Sequence, residues 1–580
     1  MTFAWVRNYD PGVPGEVGPV TTSLPWMLLQ AAEKSPQAPA LVFFGKTLTY
    51  AQLGEQTARL AQALKDLGLA PGERLGILLP NCPQLVVAYQ AALRLGAIVV
   101  LLNPLLSAKE LSHQLKDSDT RWLVVLDHFL PKVAELPNRL DLARLLITGL
   151  PDYLSWPRSR LYPLKARRQG LVNGFEPGPG RFAWRDLLQH QPLDPATPLP
   201  GPQDIAVLQY TGGTTGTPKA AVLTHASLLA NVAQINAWLP RLRYGQERVV
   251  GLLPFSHSFG LTVCLNWPLS QGALIIVLPR FEIKGFLKAL KNPLISKRGR
   301  TMISGFLKAL KKHRPTMLPG VPTLFVALIN HPKLHKYDLS SLWACISGSA
   351  PLPLEVREKF EGLTGCRILE GYGLTEASPV THINPIEGRR PPGSIGLPLP
   401  GTEAKIVDPE TGNRELPLGE VGELILRGPQ VMKEFWQNPQ ETALALRDGW
   451  LYTGDLARQE ETGYFYLLER KKDLIIAGGY KIYPREVEEV LYQHPGVKEA
   501  VALGVPDPYR GETVKAVIVP RDGIQLTAQD LQAFCQEQLA VYKVPKIIEF
   551  RSQLPKSQVG KVLRRALKEE GAPGVSPEVQ

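Results

Sequence analysis

A run rich in glycine and threonine at residues 210–225 holds the side chains best suited to bind a charged ligand. It reads YTGGTTGTPKAAVLTH, so three glycines, four threonines and one lysine fall within nine residues. Glycine lets backbone N–H groups converge on one point, threonine adds hydroxyl donors and lysine adds a positive charge, which together suit a polyphosphate. The run is not a Walker A loop, because its lysine follows a proline. The candidate binding residues are Thr211, Gly212, Gly213, Thr214, Thr215, Gly216, Thr217 and Lys219.

The sequence around this run predicts the elements that must position it. The apolar residues Ile205–Leu208 predict a strand before the loop, and Ala220–Ala230 predict the start of a helix after it. The alternative, a surface turn, accounts less well for so dense a cluster of glycines and hydroxyls between two regular elements. We therefore expect a phosphate-binding loop between a strand and a helix.

Two downstream motifs carry groups suited to a nucleotide and its metal ion. In EGYGLTE, Tyr372 lies between two glycines and can offer an open face to a purine. In the same motif, Thr375 and Glu376 supply a hydroxyl and a hard carboxylate suited to Mg²⁺. In YTGD, Asp455 can accept hydrogen bonds from both hydroxyls of a ribose. Each motif taken singly also fits an ordinary β-turn.

Two shorter signals complete the set. The turn SGSAP at 347–351 follows a predicted strand, and its small residues let a ligand approach the backbone closely. Near the C-terminus, Lys561 follows a glycine in the sequence PKSQVGKVLRR. Taken alone, that lysine also fits a basic, solvated tail.

The composition is typical of a multidomain globular protein. A chain of 580 residues exceeds one ordinary core, and 44% apolar with 20% charged residues is the balance of soluble proteins. The five cysteines are odd in number and form no C-x-x-C, which supports neither a disulfide framework nor a zinc site and favours a reducing, cytosolic compartment. The N-terminus lacks the basic-then-apolar order of a signal peptide.

The net charge of +12 is unevenly placed along the chain. Residues 283–337 contain twelve Lys or Arg and no Asp or Glu, and a second basic cluster lies at 158–168. Basic patches attract nucleic acid, anionic lipid or anionic substrates, and a solvated basic face is the plain alternative. The uncharged stretch Val249–Pro279 raises a transmembrane alternative, but three prolines interrupt it and favour a buried strand–loop–helix–strand unit.

Patterning along the chain predicts an α/β protein with two domains. Residues 25–150 alternate helix-like and strand-like runs, which implies a largely parallel sheet. The pattern resumes near residue 205, after a basic segment at 150–200 that we interpret as an irregular surface excursion. The charged residues 469–473 predict a boundary, so that 1–470 form a large N-terminal domain and 471–580 a small α+β C-terminal domain.

One internal repeat lies in the basic region. Ile283–Lys291 recurs as Ile303–Lys311 with eight identities in nine, and each copy places its apolar residues on one helical face and its lysines on the other. Residues 292–311 therefore look like a tandem insertion. We expect the first copy to pack on the sheet. For the second copy, a tolerated packed insertion and a basic helix on a membrane surface both remain open.

In this order, the motifs closely resemble those of the adenylate-forming superfamily, which includes acyl-CoA synthetases, firefly luciferase and peptide-synthetase adenylation domains. The resemblance runs from about Pro25 to Arg565, and LPFSHSF, GYGLTEASPV and ERKKDLIIAGG are most similar to bacterial long-chain fatty acid–CoA ligases. It implies an N-terminal domain of several subdomains, with parallel sheets and a small β-barrel-like part, and a mobile α+β C-terminal domain. Glu469 departs from the family pattern, because relatives often have Asp or Gly there.

The resemblance also implies a two-step reaction. A fatty acid, which the resemblance implies to be long-chain, would attack ATP to give an acyl-adenylate. The thiol of coenzyme A would then displace AMP. Mg²⁺ would assist the first step. The resemblance implies that Thr211–Lys219 bind the phosphates, that Glu376 binds Mg²⁺ and that Asp455, with Arg470 nearby, binds the ribose. Adenine binding is implied for Gly348, Ser349, Ala350, Tyr372, Gly373 and Thr375. His257 would line the acyl site, Lys561 would bridge the carboxylate and the α-phosphate, and, after rotation about Lys472, Gly478 and Gly479 would leave room for pantetheine.

Other functions stay open beside this one. The acid can be of medium chain length or aromatic, and a fatty acyl-AMP ligase would pass its acyl group to a carrier protein. Such ligases carry an extra block after the EGYGLTE motif, whereas Ala377–Gly393 is short. A basic nucleic-acid-binding protein would leave the ordered motifs unexplained, so we expect no nucleic acid partner. Contact with an anionic membrane at the inner face of the cell membrane and a homodimeric state both stay open.

Overall fold

The computed structural model describes most of the chain. The described residues are 3–137, 142–157, 159–162, 178–211, 218–279, 305–477, 480–507, 509–521, 523–557 and 562–569.

Nine strands form the first sheet of the N-terminal domain. Its inner strands are short apolar runs such as Leu274–Val277, which suit a sheet covered on both faces. The inner pairs are parallel, and antiparallel pairs lie towards the two edges. In spatial order the strands are Leu397–Pro398, Val380–Ile383, Arg367–Gly373, Ala344–Ser347, Met317–Gly320, Arg248–Gly251, Leu274–Val277, Pro39–Phe43 and Lys46–Thr49.

Eight strands form the second sheet, which shares a continuous apolar core with the first. Five of its pairs are parallel, as the alternating pattern of residues 25–150 predicts. In spatial order the strands are Glu434–Phe435, Lys219–Thr224, Ile205–Thr211, Ile98–Leu101, Arg74–Leu78, Trp122–Leu126, Arg144–Thr148 and Arg181–Ala183.

The predicted helix start at Ala220 is wrong. Lys219–Thr224 is a strand that pairs antiparallel with Ile205–Thr211, and the helix begins only at His225. The physical reason is local: the apolar run after Lys219 completes the sheet, and the Thr224 side chain accepts a hydrogen bond from the amide of Ser227, which caps the helix. The glycine- and threonine-rich loop therefore connects two strands of a hairpin.

The predicted irregular excursion at 150–200 is wrong in part. Arg181–Ala183 adds a strand to the second sheet, and the following short helix buries Trp184 and Leu187 in the main core. Basic residues at both ends of this unit concealed its apolar centre. Residue 158 and residues 163–177, which carry most of the basic cluster, lie outside the described residues.

Helices cover both sheets and several begin at side-chain caps. Thr49 and Gln52 form a reciprocal capping box at the start of one helix, and Ser107 and Glu110 form another. The helices are Pro25–Lys34, Tyr50–Asp66, Pro83–Arg94, Ala108–Asp117, Leu130–Ala134, 159–162, Trp184–Leu187, His225–Trp238, Ser258–Leu261, Thr262–Asn266 (a π-turn), Trp267–Ser270, 305–313, Pro322–Ile329, Leu354–Thr364, Pro439–Ala445, Pro484–Gln493, Ala528–Gln538 and Arg564–Glu569.

The uncharged stretch Val249–Pro279 folds as the predicted buried unit. The strand Arg248–Gly251 is followed by a loop, a helical segment from Ser258 to Ser270, and the strand Leu274–Val277. Across the part of the chain that the structure describes, no helix has the length and apolar character needed to cross a bilayer.

A third, five-stranded antiparallel sheet lies where the short strands of the barrel-like part were expected. Its strands, with Trp450–Gln459 paired to three others, are Glu403–Val407, Gly422–Arg427, Trp450–Gln459, Leu446–Arg447 and Phe465–Arg470.

The C-terminal part has a sheet and apolar cores of its own. The main core ends with Phe465, and the next one begins at Ile475. The boundary after residue 470 stays a prediction. The sheet consists, in order, of Tyr480–Ile482, Ile475–Ala477, Gly511–Pro520 and Val497–Asp507, with Ile547–Phe550 added beside Gly511–Pro520.

The second copy of the repeat is packed rather than exposed on a surface. Residues 305–313 are helical, and Phe306, Leu307 and Leu310 are buried in the main core, while Lys308, Lys311 and Lys312 are exposed. The first copy, 283–291, lies outside the described residues. Part of the segment that we assigned to the insertion therefore belongs to the core.

Candidate active site

A cleft of about 2440 Å³ lies between the N-terminal domain and the C-terminal part. Every predicted site residue within the described ranges lines it: Thr211, Lys219, His257, Gly348, Ser349, Ala350, Tyr372, Gly373, Thr375, Glu376, Asp455 and Arg470. The remaining predicted site residues, Gly212, Gly213, Thr214, Thr215, Gly216, Thr217, Gly478, Gly479 and Lys561, lie outside the described residues.

Tyr372, Asp455 and Arg470 form a connected group in this cleft. The Tyr372 hydroxyl donates to Asp455 Oδ2 at 2.6 Å, and Arg470 Nε lies 3.0 Å from Asp455 Oδ1. Their positions follow from the third sheet, where Asp455 and Arg470 are cross-strand partners. Asp455 is 1% exposed, and burial together with the Asp455 charge raises the pKa of Tyr372 well above its usual value.

Several buried polar atoms along the cleft have unused bonding capacity. Asp455 Oδ1, Ser347 Oγ and Gln209 Oε1 have no hydrogen-bond partner among the described residues. The Arg470 contact with Asp455 is close enough for an ion pair but does not have hydrogen-bond geometry. Buried polar groups are normally hydrogen-bonded, so these atoms suit a polar ligand in the cleft.

The turn that carries Asp455 is held by a residue that sequence reasoning missed. Glu423 lies on the neighbouring strand and is 5% exposed. It accepts a hydrogen bond from the Gly454 amide at 3.1 Å and forms an ion pair with Lys471 at 3.0 Å. The Thr453 hydroxyl accepts from the Asp455 amide at 3.1 Å. The only sequence signal for Glu423 was a charged residue in an otherwise apolar strand.

Tyr372 is also packed from behind by uncharged rings. His382 lies 5.9 Å from Tyr372 between ring centroids and 4.9 Å from Phe465. Burial lowers the pKa of His382 to about 3, so this imidazole is neutral at physiological pH. The rear of the tyrosine ring therefore faces apolar and neutral groups.

Glu376 is the candidate metal-binding carboxylate. The pKa of Glu376 is raised, and burial is the largest cause. The Asp455 charge also raises this pKa, whereas the Arg470 and Lys219 charges lower it. A desolvated carboxylate near cations and a second carboxylate suits Mg²⁺, which typically takes one or two carboxylates together with substrate phosphates. Within the described ranges, no group of three or more His, Cys, Asp or Glu side chains converges on a metal position. The residues therefore fit a metal held jointly with a ligand.

Both ends of the glycine- and threonine-rich loop are fixed at the cleft. Thr211 and Lys219 are cross-strand partners at the end of the hairpin. The Lys219 ammonium makes an ion pair with Glu441 and lies 5.8 Å from the centroid of the Phe435 ring. The lysine of this loop is therefore held at one position by two neighbours.

Packing restricts what can replace Gly348 and Gly373. A Cβ on Gly373 would lie 2.2 Å from the Pro379 carbonyl oxygen, and one on Gly348 would lie 3.2 Å from the Phe259 ring. Ser349, in the same turn, has φ +69°, a strained conformation for a residue other than glycine. Such strain is often found where the backbone approaches a ligand.

His257 lines the cleft directly before Ser258, whose hydroxyl lies 3.2 Å from the hydroxyl of Thr375. It precedes the helical segment 258–270, and its Nδ1 accepts a hydrogen bond from the Phe259 amide at 3.3 Å. The loop before it is organised by Asn81, which donates to the Leu253 carbonyl at 2.8 Å and accepts from the Phe255 amide at 2.8 Å. Asn81 was missed because its position in the sequence is far from every motif.

The helical segment 258–270 lies along the cleft and contacts the residues that follow EGYGLTE. The Thr262 hydroxyl donates to the Ser378 carbonyl at 2.8 Å, just after EGYGLTE, and a π-turn spans Thr262–Asn266. Phe259 and Val263 from this segment line the cleft together with Val326 and Ile329. Such π-turns are frequent at functional sites, and this one places apolar side chains next to the nucleotide residues.

The segment that contains Lys561 approaches the same cleft. Lys556 and Val562 form an antiparallel bridge, the Leu563 amide donates to the Pro555 carbonyl at 2.8 Å, and Lys556, Val562 and Leu563 line the cleft. The described residues on both sides of Lys561 are thus fixed at the cleft wall.

Comparison with known proteins agrees with this geometry. A model described as AMP-binding enzyme matches residues 28–436, and one described as AMP-binding enzyme C-terminal domain matches residues 486–561. The chain belongs to the AMP-binding enzyme family. The family resemblance and the α/β fold predicted from the sequence are confirmed.

Relatives within the AMP-binding enzyme family match along nearly the whole chain. A long-chain-fatty-acid–CoA ligase of Bacillus subtilis (strain 168) is 45% identical over 568 residues, and one of Escherichia coli O157:H7 is 40% identical over 577 residues, with 98% of each chain covered in both cases. The structure of ATP-bound MatB from Rhodopseudomonas palustris matches with a TM-score of 0.80 and 30% identity, over 95% of this chain and 99% of that one. These likenesses agree with small-molecule substrates.

Proposed function

We propose that the protein is an ATP-dependent, AMP-forming ligase that activates a long-chain fatty acid and transfers it to coenzyme A. The observation that carries the proposal is the convergence of Tyr372, Asp455, Glu376 and Lys219 on one cleft with an apolar side. The names of the full-length relatives support the choice of a long-chain acid.

In the first step, a carboxylate oxygen of the fatty acid attacks the α-phosphorus of ATP. The new bond joins the carboxylate to the α-phosphate, the bond to the β-phosphate breaks, and pyrophosphate leaves. Both reactants are anions, so alignment and charge neutralisation supply much of the catalysis. We assign the β- and γ-phosphates to Thr211–Lys219 and the bridge between the carboxylate and the α-phosphate to Lys561.

The nucleoside is assigned to the fixed wall of the N-terminal domain. Tyr372 offers its ring to adenine beside Gly348, Ser349 and Ala350, and Asp455 accepts from the ribose hydroxyls. A carboxylate offers about four acceptor positions, so the bond from Tyr372 leaves capacity for a ribose, above all at Oδ1.

Glu376 is assigned to Mg²⁺. When bound, the metal would stabilise negative charge on the phosphate oxygens. Burial raises the pKa of the free carboxyl, and a bound cation would favour its ionised form. A Glu376→Gln variant is expected to need more Mg²⁺ for half-maximal activity, whereas an unchanged Mg²⁺ requirement would remove the assignment.

In the second step, the thiol sulfur of coenzyme A attacks the acyl carbonyl carbon, and AMP leaves with the bonding electrons. We assign Gly478 and Gly479 to the passage of the pantetheine arm after the C-terminal domain rotates about Lys472. This division of labour between two domain orientations is a gating mechanism rather than a change in the chemistry.

We place the protein in the cytoplasm, with peripheral contact at the inner face of the cell membrane through its basic clusters. Sedimentation velocity addresses the homodimer, and flotation with anionic vesicles addresses the membrane contact. Protein that stays at the bottom of the gradient at low salt would contradict that contact.

The decisive experiment measures two reactions across short-chain, long-chain and aromatic acids. ATP–pyrophosphate exchange reports the first step, and CoA thioester formation reports both. We expect both activities, highest with long-chain acids. Exchange without thioester would favour an acyl-AMP ligase, preference for aromatic acids would change the substrate class, and no activity with any acid would overturn the proposal.

A further inference from the structure

A buried ionic cluster lies beside the segment that carries Lys561. Arg564, three residues after that lysine, donates to Glu469 Oε1 at 2.5 Å and to Glu488 Oε1 at 2.6 Å, and lies 3.8 Å from Asp473 Oδ2. The side chains of Arg564 and Glu469 are 19% and 6% exposed. Charge-assisted hydrogen bonds in such surroundings are among the stronger polar contacts in proteins.

The partners of Arg564 belong to different parts of the fold. Glu488 lies on the helix Pro484–Gln493 of the C-terminal part, whereas Glu469 lies on the last strand of the third sheet, in the N-terminal domain. Asp473 lies between them, in the short helical turn Lys471–Asp473. The contact with Glu469 therefore spans the predicted domain boundary.

Glu469 also lies directly beside the nucleotide wall. It precedes Arg470, whose Nε contacts the ribose candidate Asp455, and its Oε1 accepts a hydrogen bond from the Arg470 amide at 2.9 Å. An arginine anchored to Glu469 is thus tied to the same strand end that approaches Asp455. Glutamate at position 469 departs from the family pattern, and the ion pair with Arg564 gives this residue a structural role.

We infer that Glu469 and Arg564 are positioning residues, which hold residues 562–564, directly after Lys561 in the chain, against the nucleotide wall during the first half-reaction. The inference rests on the proposed two-step function. Rotation of the C-terminal domain separates Arg564 from Glu469 while Arg564 stays with Glu488. The pair therefore favours the orientation for adenylate formation over the one for thioester formation.

Two other polar contacts between described residues cross the same boundary, and neither involves Glu469 or Arg564. Arg485 donates to the Leu467 carbonyl at 2.6 Å, and Lys471 pairs with Glu423 at 3.0 Å. These contacts would keep the domains associated in a Glu469 variant. The effect of that variant should therefore be a loss of precise placement rather than a loss of folding.

The test compares Glu469→Gln with Glu486→Gln in the full-length protein. Glutamine keeps the acceptor for the Arg470 amide but removes the charge that faces Arg564. Glu486 is the matched control, because it pairs with Lys543 at 2.6 Å on the same helix as Glu488 and within the C-terminal part. Adenylate formation from ATP and a fatty acid, and thioester formation from supplied acyl-adenylate and CoA, are measured separately.

Glu469→Gln is expected to slow adenylate formation about tenfold to a hundredfold, as loss of a charged hydrogen bond implies, and to change thioester formation less than twofold. Arg564→Lys should give a smaller loss of the same kind, because lysine keeps the charge without the two-pronged geometry. Glu486→Gln should leave both half-reactions within twofold. Equal loss of both half-reactions in Glu469→Gln, or no loss in either, would overturn the inference.

A measurement without turnover separates this inference from the proposed function. Trypsin cleavage after Lys471 or Lys472 is expected to be several-fold faster in Glu469→Gln than in the wild-type protein, and unchanged in Glu486→Gln. Equal cleavage rates would overturn the inference even if the wild-type enzyme has the proposed activity. An inactive wild-type protein would instead overturn the proposed function.

Discussion

The two walls of the cleft are held in place by different means. On the N-terminal wall, Asp455 and Tyr372 lie on sheet strands that share the main core, and their side chains bond to each other. The segment on the opposite wall packs through Leu554 and Leu567 on a small apolar core of the C-terminal part. Ion pairs hold its ends, Lys556 with Glu499 at 2.7 Å and Arg564 with Glu469 and Glu488, and only the contact with Glu469 reaches the N-terminal domain. A strand within a core cannot move alone, whereas ion pairs can be exchanged. The difference suits a fixed nucleotide site and a movable lysine.

The largest expected effect separates the two walls. Lys561→Ala should slow adenylate formation by a factor of about 10²–10³, as loss of a group that stabilises transition-state charge implies, and should largely spare thioester formation from supplied acyl-adenylate. Rapid-quench assays of each half-reaction provide the measurement. Equal loss in both would remove the role that we assign to this lysine and the contrast between the walls.

A change in the fixed wall should instead affect both half-reactions. Asp455→Asn keeps the shape but removes the charge that faces Arg470 and the ribose hydroxyls, and is expected to weaken AMP binding about tenfold to a hundredfold. Calorimetric titration with AMP measures this directly, with Asp408→Asn as a control, because Asp408 pairs with Arg414 and does not line the cleft. Unaltered AMP affinity would place the ribose elsewhere.

A smaller effect is expected from the Tyr372 hydroxyl. Tyr372→Phe keeps the ring for adenine but removes the bond to Asp455, so we expect up to about a tenfold loss of AMP affinity. Tyr372→Ala removes the ring as well and should be clearly worse. If the two variants are equal, the ring makes no contribution and stacking on adenine is wrong.

The smallest expected effect concerns acid stability of the N-terminal domain. Burial lowers the pKa of His225 to about 4, against an opposing effect of Asp204, and burial lowers the pKa of His382 to about 3. Both imidazoles therefore stay neutral in the folded state at pH values where the same histidines of the unfolded chain, with a pKa of about 6.5, bind protons. Stability is therefore complete above about pH 6.5 and falls as the pH decreases towards 4, by about 1.4 kcal/mol per histidine and pH unit. When the pH is lowered from 7.5 to 5.5, the Tm of His225→Gln should fall by about 1–2 °C less than the Tm of the wild type. Identical losses would contradict this account.

Sequence reasoning succeeded where chemistry and periodicity are local. The strand Trp122–Leu126 and the helix Tyr50–Asp66 follow from apolar patterning, and the motif residues identified the cleft because loop residues after strands meet at one edge of a sheet. It failed at Lys219–Thr224, where a short apolar run has no preference between helix and strand until the neighbouring strand is known.

The supporting residues could not be found in the same way. Glu423, Asn81 and Arg564 act through partners that are distant in the sequence, with separations of 48, 172 and 95 residues for Lys471, Leu253 and Glu469. Only the tertiary fold brings these pairs together. A single sequence therefore indicates the groups that touch a ligand but not the groups that orient them.

The packed helix at 305–313 bears on how the length of this chain can change in evolution. Its buried residues Phe306, Leu307 and Leu310 have identical counterparts at Phe286, Leu287 and Leu290, twenty residues earlier. A recombination event that excises one twenty-residue period would restore a shorter chain with the same apolar triplet for the core. Loss of either twenty-residue period would therefore leave the same three apolar residue types in sequence before His313.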